Sequence, residues 1–174
     1  LGRFRFQRDR TRYLVTRSAV RTILADLLGC AAAALRFAPT AYGKPLLVDA
    51  PAAASGLSFN VSHTKDLIVV ATARGVCIGI DVENTVARRA PLEIADRYFA
   101  PKEVRALRAL PAREQDAAFF RYWTLKEAYI KARGLGLSIP LETFSFTWKD
   151  NVRWIDFQAP DDDAKPEWAF RQCQ

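Results

Sequence analysis

No apolar run in the chain approaches the roughly 20 residues that a membrane span requires. The opening Leu1-Gly2-Arg3-Phe4-Arg5 is too charged to act as a signal peptide. A cytoplasmic protein with no membrane partner is therefore expected. Cys30, Cys77 and Cys173 are odd in number, far apart and form no CxxC pair, which argues against a disulfide framework and against a zinc site. No Walker-type glycine loop occurs, so the chain is not a P-loop nucleotidase. The single histidine, His63, follows Ser62. Adjacent residues of a strand face opposite ways and no nucleophile elbow surrounds Ser62, so a serine hydrolase is rejected as well. There is no convincing internal repeat.

What is present is a chain of 174 residues, 50% hydrophobic and 26% charged, enough for a proper core in one domain or two small fused halves. A net charge of +7 and a pI near 9.6 favour an anionic partner. Charge alone does not say whether that partner is nucleic acid, a phosphorylated small molecule or an acidic protein.

From about Arg8 to Leu28 apolar residues recur at spacings of three and four between Arg8, Arg10, Arg12, Arg17 and Arg21. This predicts an amphipathic helix with a basic face, closed by Gly29. A loop is expected through Pro39, Gly43, Pro45, Pro51 and Gly56, then strands at 57–62, 67–73 and 76–83. Beyond Asn84 the pattern predicts helices at 92–98, after Pro101, and from Glu114 to Arg133, the last ended by Gly134 and Gly136. Strands are expected at 143–148, 152–157 and, after the acidic loop Asp161-Asp162-Asp163, at 168–170. The fold class is thus α+β. The order of elements suggests two pseudo-symmetric halves, residues 1–84 and 85–174, each a helix packed on a small, mainly antiparallel sheet, with the active site between them.

Two stretches carry chemistry. In Ile78-Gly79-Ile80-Asp81-Val82-Glu83, strand alternation sends Gly79, Asp81 and Glu83 to one face. Two carboxylates then stand side by side, which requires solvation or a cation, and Gly79 on that face leaves room for a ligand. In the long helix Phe120, Trp123, Glu127 and Ile130 fall at i, i+3, i+7 and i+10, which sets Glu127 in line with an apolar stripe. Lys131, one turn on, suits an i, i+4 pair with Glu127. Together Asp81, Glu83 and Glu127 offer the hard oxygen ligands that suit Mg²⁺, an ion that takes its remaining ligands from water and phosphate. With Arg12, Lys44, His63 and Lys131 nearby, the pattern describes an anion-binding cleft built around a metal.

These residues make the chain recognisable. It resembles the Sfp-type (surfactin-synthetase-activating) 4′-phosphopantetheinyl transferases of the holo-acyl-carrier-protein synthase superfamily. The likeness runs through Tyr42-Gly43-Lys44-Pro45, Phe59-Asn60-Val61-Ser62-His63, Gly79-Ile80-Asp81-Val82-Glu83, Arg97-Tyr98-Phe99 and Trp123-Thr124-Leu125-Lys126-Glu127-Ala128-Tyr129-Ile130-Lys131. The resemblance covers nearly the whole chain in the expected order. It implies transfer of 4′-phosphopantetheine from coenzyme A to a serine of an apo acyl or peptidyl carrier protein, with release of adenosine 3′,5′-bisphosphate. It implies that Asp81, Glu83 and Glu127 hold Mg²⁺, that Lys131 contacts the same pyrophosphate, and that Lys44, Ser62, His63 and Arg12 bind coenzyme A phosphates, Arg12 at the 3′-phosphate. Glu127 or a metal-bound water would accept the serine proton. The two-halved form is implied to be a monomer. Arg97, Lys102, Arg105 and Arg108 would face the acidic helix of a carrier, or form a solvated helix face. The chain starts almost at its basic helix and stops in what looks like mid-strand, so part of the 3′-phosphate site is expected to lie outside it. A nucleic-acid-binding module, the rival reading of the +7 charge, leaves Asp81, Glu83 and Glu127 unexplained. A scaffold that binds carrier without transfer has no need of clustered carboxylates.

Overall fold

The computed structural model describes residues 6–49, 52–86, 89–149, 154–160 and 167–173, and of Lys149 and Trp154 only the backbone. Leu1 to Arg5, Pro51, the start of the strand expected at 152, and the acidic loop 161–163 lie outside the described residues.

The basic helix, α1 (Gln7–Leu28), buries Val20, Leu24, Ala25 and Leu28 on one face. Gly29 ends it with φ 61°. There the Cys30 N–H reaches the Ala25 carbonyl at 3.1 Å and the Gly29 N–H reaches that of Asp26 at 3.4 Å, the glycine-dependent closure that satisfies a helix's last carbonyls. The four buried residues join Leu35 and Phe59 in the core of the first half.

Where a plain loop was expected, β1 (Arg36–Pro39) and β2 (Pro45–Val48) form a hairpin. Its prolines misled the sequence reading. Pro39 lies opposite Pro45 at the end of the ladder, where an absent N–H removes little pairing. A second hairpin joins β3 (Leu57–His63) to β4 (Ile68–Arg74), in register from Leu57 opposite Arg74 to His63 opposite Ile68. The strand expected at 76–83 does not join a ladder. The segment instead runs beside β3 and gives its amides to side chains: the Ile80 N–H reaches Asn60 Oδ1 at 2.9 Å and the Val82 N–H reaches Ser62 Oγ at 3.3 Å. Short polar side chains have replaced the carbonyls of a neighbouring strand.

The second half contains α2 (Leu92–Tyr98), α3 (Pro101–Arg108), α4 (Ala112–Arg133) and the hairpin of β5 (Ser145–Lys149) with β6 (Trp154–Gln158). Its core gathers Phe99, Leu107, Phe119, Phe120, Leu125, Tyr129, Phe144 and Phe146 around α4. Residues 168–170 form no strand among the described residues. They are held by packing: the Trp168 ring lies 5.1 Å from that of Tyr129 and the Phe170 ring 4.8 Å from that of Phe146. Each such aromatic pair adds about 0.5–1.5 kcal/mol beyond burial.

The expected α+β architecture therefore stands, with a helix and small antiparallel hairpins in each half and a separate core for each. The two halves meet where α4 faces β3 and the segment 77–83.

Candidate active site

Gly79 sets the distance between the acidic segment and α4. A Cβ at this position would lie 2.0 Å from the Ala128 carbonyl oxygen and 2.5 Å from the Ala132 nitrogen. The face holding Gly79 thus admits the helix backbone, not a ligand as the alternation pattern had suggested. Because the obstructing atoms are backbone, Gly79→Ala can be accommodated only by moving the segment. A loss of about 1–3 kcal/mol is expected, read as a lower urea midpoint; an unchanged midpoint would show that the contact is not close.

Held this way, Asp81 points at the last turns of α4. Its side chain is 6% exposed, and the Lys131 ammonium donates to Asp81 Oδ1 at 2.6 Å. Ser62, 7% exposed on β3, donates from Oγ to the same oxygen at 2.9 Å and accepts from Lys131 at 3.1 Å. Three expected site residues are thus joined directly. Lys131 pairs across the halves with Asp81, not along the helix with Glu127. Asp81 Oδ2 is buried and has no hydrogen-bond partner, which is costly for a carboxylate oxygen.

Glu127 is half-buried on the same side of α4. Burial pushes its carboxyl above the usual carboxylate range, and the negative charges of Asp81 and then Glu83 push it further, while Lys131 pulls it back. The three acidic residues therefore feel one another. Among the described residues no three His, Cys, Asp or Glu side chains stand close enough to hold a single ion. The cation that Asp81 meets here is the ammonium of Lys131.

The next residue of β3, His63, is exposed and faces the other way, into a cleft of about 230 Å³ against α1. Arg12 lines that cleft, with Asp9 3.1 Å from its guanidinium, and so do Tyr13, Thr16 and Arg17. Two expected phosphate contacts, Arg12 and His63, thus share one opening. Arg17 belongs to the basic face read from the sequence, whereas that reading passes over Thr16. Thr16 Oγ1 is buried without a partner, and its i+4 spacing from Arg12 was the available signal.

Lys44 stands elsewhere. From the β1–β2 tip it reaches the end of α4, and its ammonium donates to the carbonyls of Lys131 at 2.7 Å, Ala132 at 3.0 Å and Ile78 at 3.4 Å.

The sequence reading also passed over Lys126. It lies beside Glu127 with no exposure, ion-paired at 2.8 Å to a fully buried Glu103 of α3. Tyr122, Lys126 and Tyr129 fall at i, i+4 and i+7, so helical spacing alone places this lysine inside. Its ammonium also donates to the carbonyls of Leu141 and Phe144 at 2.7 and 2.8 Å. Glu103 accepts the N–H groups of Ala100 at 3.0 Å and Phe146 at 2.8 Å.

Comparison with known proteins shows the family. Residues 77–171 match the profile of the 4′-phosphopantetheinyl transferase superfamily, and residues 1–75 match that of the 4′-phosphopantetheinyl transferase N-terminal region. The 4′-phosphopantetheinyl transferase HetI of a Nostoc species is 40% identical over 137 residues, 79% of this chain and 57% of the relative. A 4′-phosphopantetheinyl transferase of Bacillus subtilis is 35% identical over 159 residues, 91% of this chain and 67% of the relative. The human L-aminoadipate-semialdehyde dehydrogenase-phosphopantetheinyl transferase is 30% identical over an alignment spanning all of this chain and 60% of its own length. The chain thus spans about three fifths of the length of the relatives it matches. On the matches to both halves and on these identities, the chain belongs to the 4′-phosphopantetheinyl transferase superfamily.

Proposed function

We propose that the protein moves the 4′-phosphopantetheine arm of coenzyme A onto a serine hydroxyl of an apo acyl or peptidyl carrier protein. The observation that carries this reading is the charge cluster between the halves. A buried Asp81 with one bare oxygen, a Glu127 raised by burial and by two neighbouring carboxylates, and Lys131 placed among them leave a site that calls for a further cation and for phosphate oxygens.

As hard carboxylate donors these residues suit Mg²⁺ chemically, but they do not converge on one point in the structure, so the side chains would have to draw together on the ion. Asp81, Glu83 and Glu127 would hold the ion, which would draw negative charge from the pyrophosphate oxygens of coenzyme A as the transferred phosphorus is attacked. Lys131 would turn from Asp81 toward the same phosphates and offset charge on the departing bisphosphate. Ser62 would donate to a phosphate oxygen. In the cleft beside α1, Arg12 and His63 would receive the 3′-phosphate, with Thr16 and Arg17 at hand. The carrier serine oxygen forms the new bond to the phosphorus bearing pantetheine, and the bond to the bridging pyrophosphate oxygen breaks to free adenosine 3′,5′-bisphosphate. Glu127 or a water held beside it would take the serine proton.

The exposed Arg97, Lys102, Arg105 and Arg108 of α2 and α3, the last of them hydrogen-bonded to Asp96, would meet the acidic helix of the carrier. We place the division of the halves at residues 84 and 85, so that Asp81 and Glu83 belong to one half and Glu127 and Lys131 to the other. We further propose that it acts as a monomer in the cytoplasm; separately, no described helix is long and apolar enough to cross a membrane.

Chromatography tests the reaction. With coenzyme A, Mg²⁺ and an apo-carrier, adenosine 3′,5′-bisphosphate is expected to accumulate, and a chelator or omission of the carrier stops it. Silence across a panel of fatty-acid, polyketide and peptide carriers would refute the proposal. A salt-sensitive affinity for DNA or RNA that survives Glu127→Ala, with no binding of coenzyme A, would favour a nucleic-acid module.

A further inference from the structure

We propose that Lys44 is a positioning residue that locks the two halves of the cleft together through the end of α4, rather than the phosphate contact implied by the family resemblance. The inference rests on the functional reading above for its kinetic consequences, but its structural part stands independently.

The hairpin tip fixes where the lysine starts. The Thr40 N–H reaches the Lys44 carbonyl at 2.8 Å, the Lys44 N–H reaches Thr40 Oγ1 at 3.1 Å, and Gly43 closes the turn with φ 85°. Pro45 follows and biases Lys44 toward extended backbone. The stem then passes Gly134, where an added Cβ would lie 3.1 Å from Lys44 Cδ. Gly134 is thus needed twice, for its φ of 69° at the end of α4 and for this passage.

At the far end, three ammonium protons meet three carbonyls. The carbonyls of Lys131 and Ala132 belong to the last turn of α4, where a helix has no partner of its own to offer and where a cation is favoured by the helix dipole. The third, Ile78, precedes the Gly79 that rests on Ala128 and Ala132. One side chain therefore joins the β1–β2 tip of the first half, the end of α4 in the second, and the root of the acidic segment. The same turn of α4 carries Lys131, whose side chain holds Asp81, so Lys44 fixes the spacing between the two. To bind phosphate, its ammonium would have to abandon three carbonyls, two of them at a helix end. Burial also lowers the lysine's proton affinity, which is consistent with a site built of neutral acceptors.

The test separates the two roles with Lys44→Met and Lys44→Arg, followed by amide exchange, coenzyme A binding and kinetics. In Lys44→Met, exchange at residues 131–136 and 77–80 is expected to quicken about tenfold or more. The turnover number should fall about 10- to 100-fold, since small misplacements of reacting groups carry such penalties. The dissociation constant for coenzyme A should change less than about threefold, that is by well under 1.4 kcal/mol. Lys44→Arg, which keeps the charge but brings a wider group past Gly134, is expected to behave like Lys44→Met; it supplies the same comparison if the methionine variant does not fold. Unchanged exchange with coenzyme A affinity weakened about tenfold or more, and rescue of that affinity by arginine, would overturn the inference in favour of phosphate contact. A parent protein that fails to bind coenzyme A would refute the functional reading, while the exchange result would still decide the structural role of Lys44.

Discussion

Glu127→Gln is expected to remove transfer activity by about 100-fold or more while making the metal-free protein more resistant to urea at neutral pH. The two effects share one cause. Glu127 is half-buried beside Asp81 and Glu83, and its carboxyl holds a proton more tightly in the folded state than its ordinary value of 4.5 implies. Below that value the group is protonated whether the chain is folded or not, and the ionised cluster costs nothing. As pH rises past it, the unfolded chain releases the proton first, so stability falls until the folded carboxyl has ionised too. Above that point the penalty is fully present. Glutamine keeps the shape and never ionises, so the stability gap between variant and parent should open from acid toward neutral pH. Added Mg²⁺ should stabilise the parent more than the variant. A variant less stable than its parent at neutral pH, or one that retains full activity, would contradict this account of the cluster.

The second large effect lies one residue away and touches stability first. Lys126→Met would leave Glu103 fully buried without its cation, and a cost of about 3–5 kcal/mol is expected for breaking a pair of this kind. Glu103→Leu should cost a similar amount, because the ammonium of Lys126 would then be stranded. The double variant should recover most of the loss, since burial already pushes Glu103 up and Lys126 down and apolar replacements of buried pairs are often tolerated. Urea unfolding of the two single variants and the double one gives the coupling directly. Additive losses would mean that the two charges do not depend on each other. The pair also touches α3, α4, β5 and the turn at Leu141, so it fixes the rotation of α4 about its axis and thereby the direction in which Glu127 and Lys131 point.

The sequence disclosed elements whose signals are local. α1 and α4 were legible because apolar spacing and a terminal glycine, Gly29 or Gly134, both lie within the helix's own stretch of chain. The acidic pair at Asp81 and Glu83 and the Glu127–Lys131 turn were legible as residue types, and the resemblance placed them in one site. What escaped was set by partners distant in sequence. Pro39 and Pro45 read as loop because only the pairing of one against the other shows them at the harmless end of a hairpin. Residues 76–83 read as a strand because nothing local says that Asn60 and Ser62 will accept its amides in place of a strand. Gly79 read as space for a ligand, whereas the occupant of that space is the backbone of α4. Lys131 suits a pair with Glu127 along its helix, and the resemblance sets it on phosphate; its partner in the structure, the buried Asp81 of the other half, is distant in sequence, and the attraction is stronger in that drier setting. Lys126 was visible from its spacing but was passed over, since its partner Glu103 lies on a different helix.

The most direct measurement is the intact mass of an apo-carrier protein after incubation with this chain, coenzyme A and Mg²⁺. The account predicts one added phosphopantetheine per carrier, absent with a chelator, absent when the carrier serine is replaced by alanine, and absent with Asp81→Ala. A mass gain that persists with Asp81→Ala or in chelator, or no gain on any of several carriers that a related transferase modifies in parallel, would contradict it.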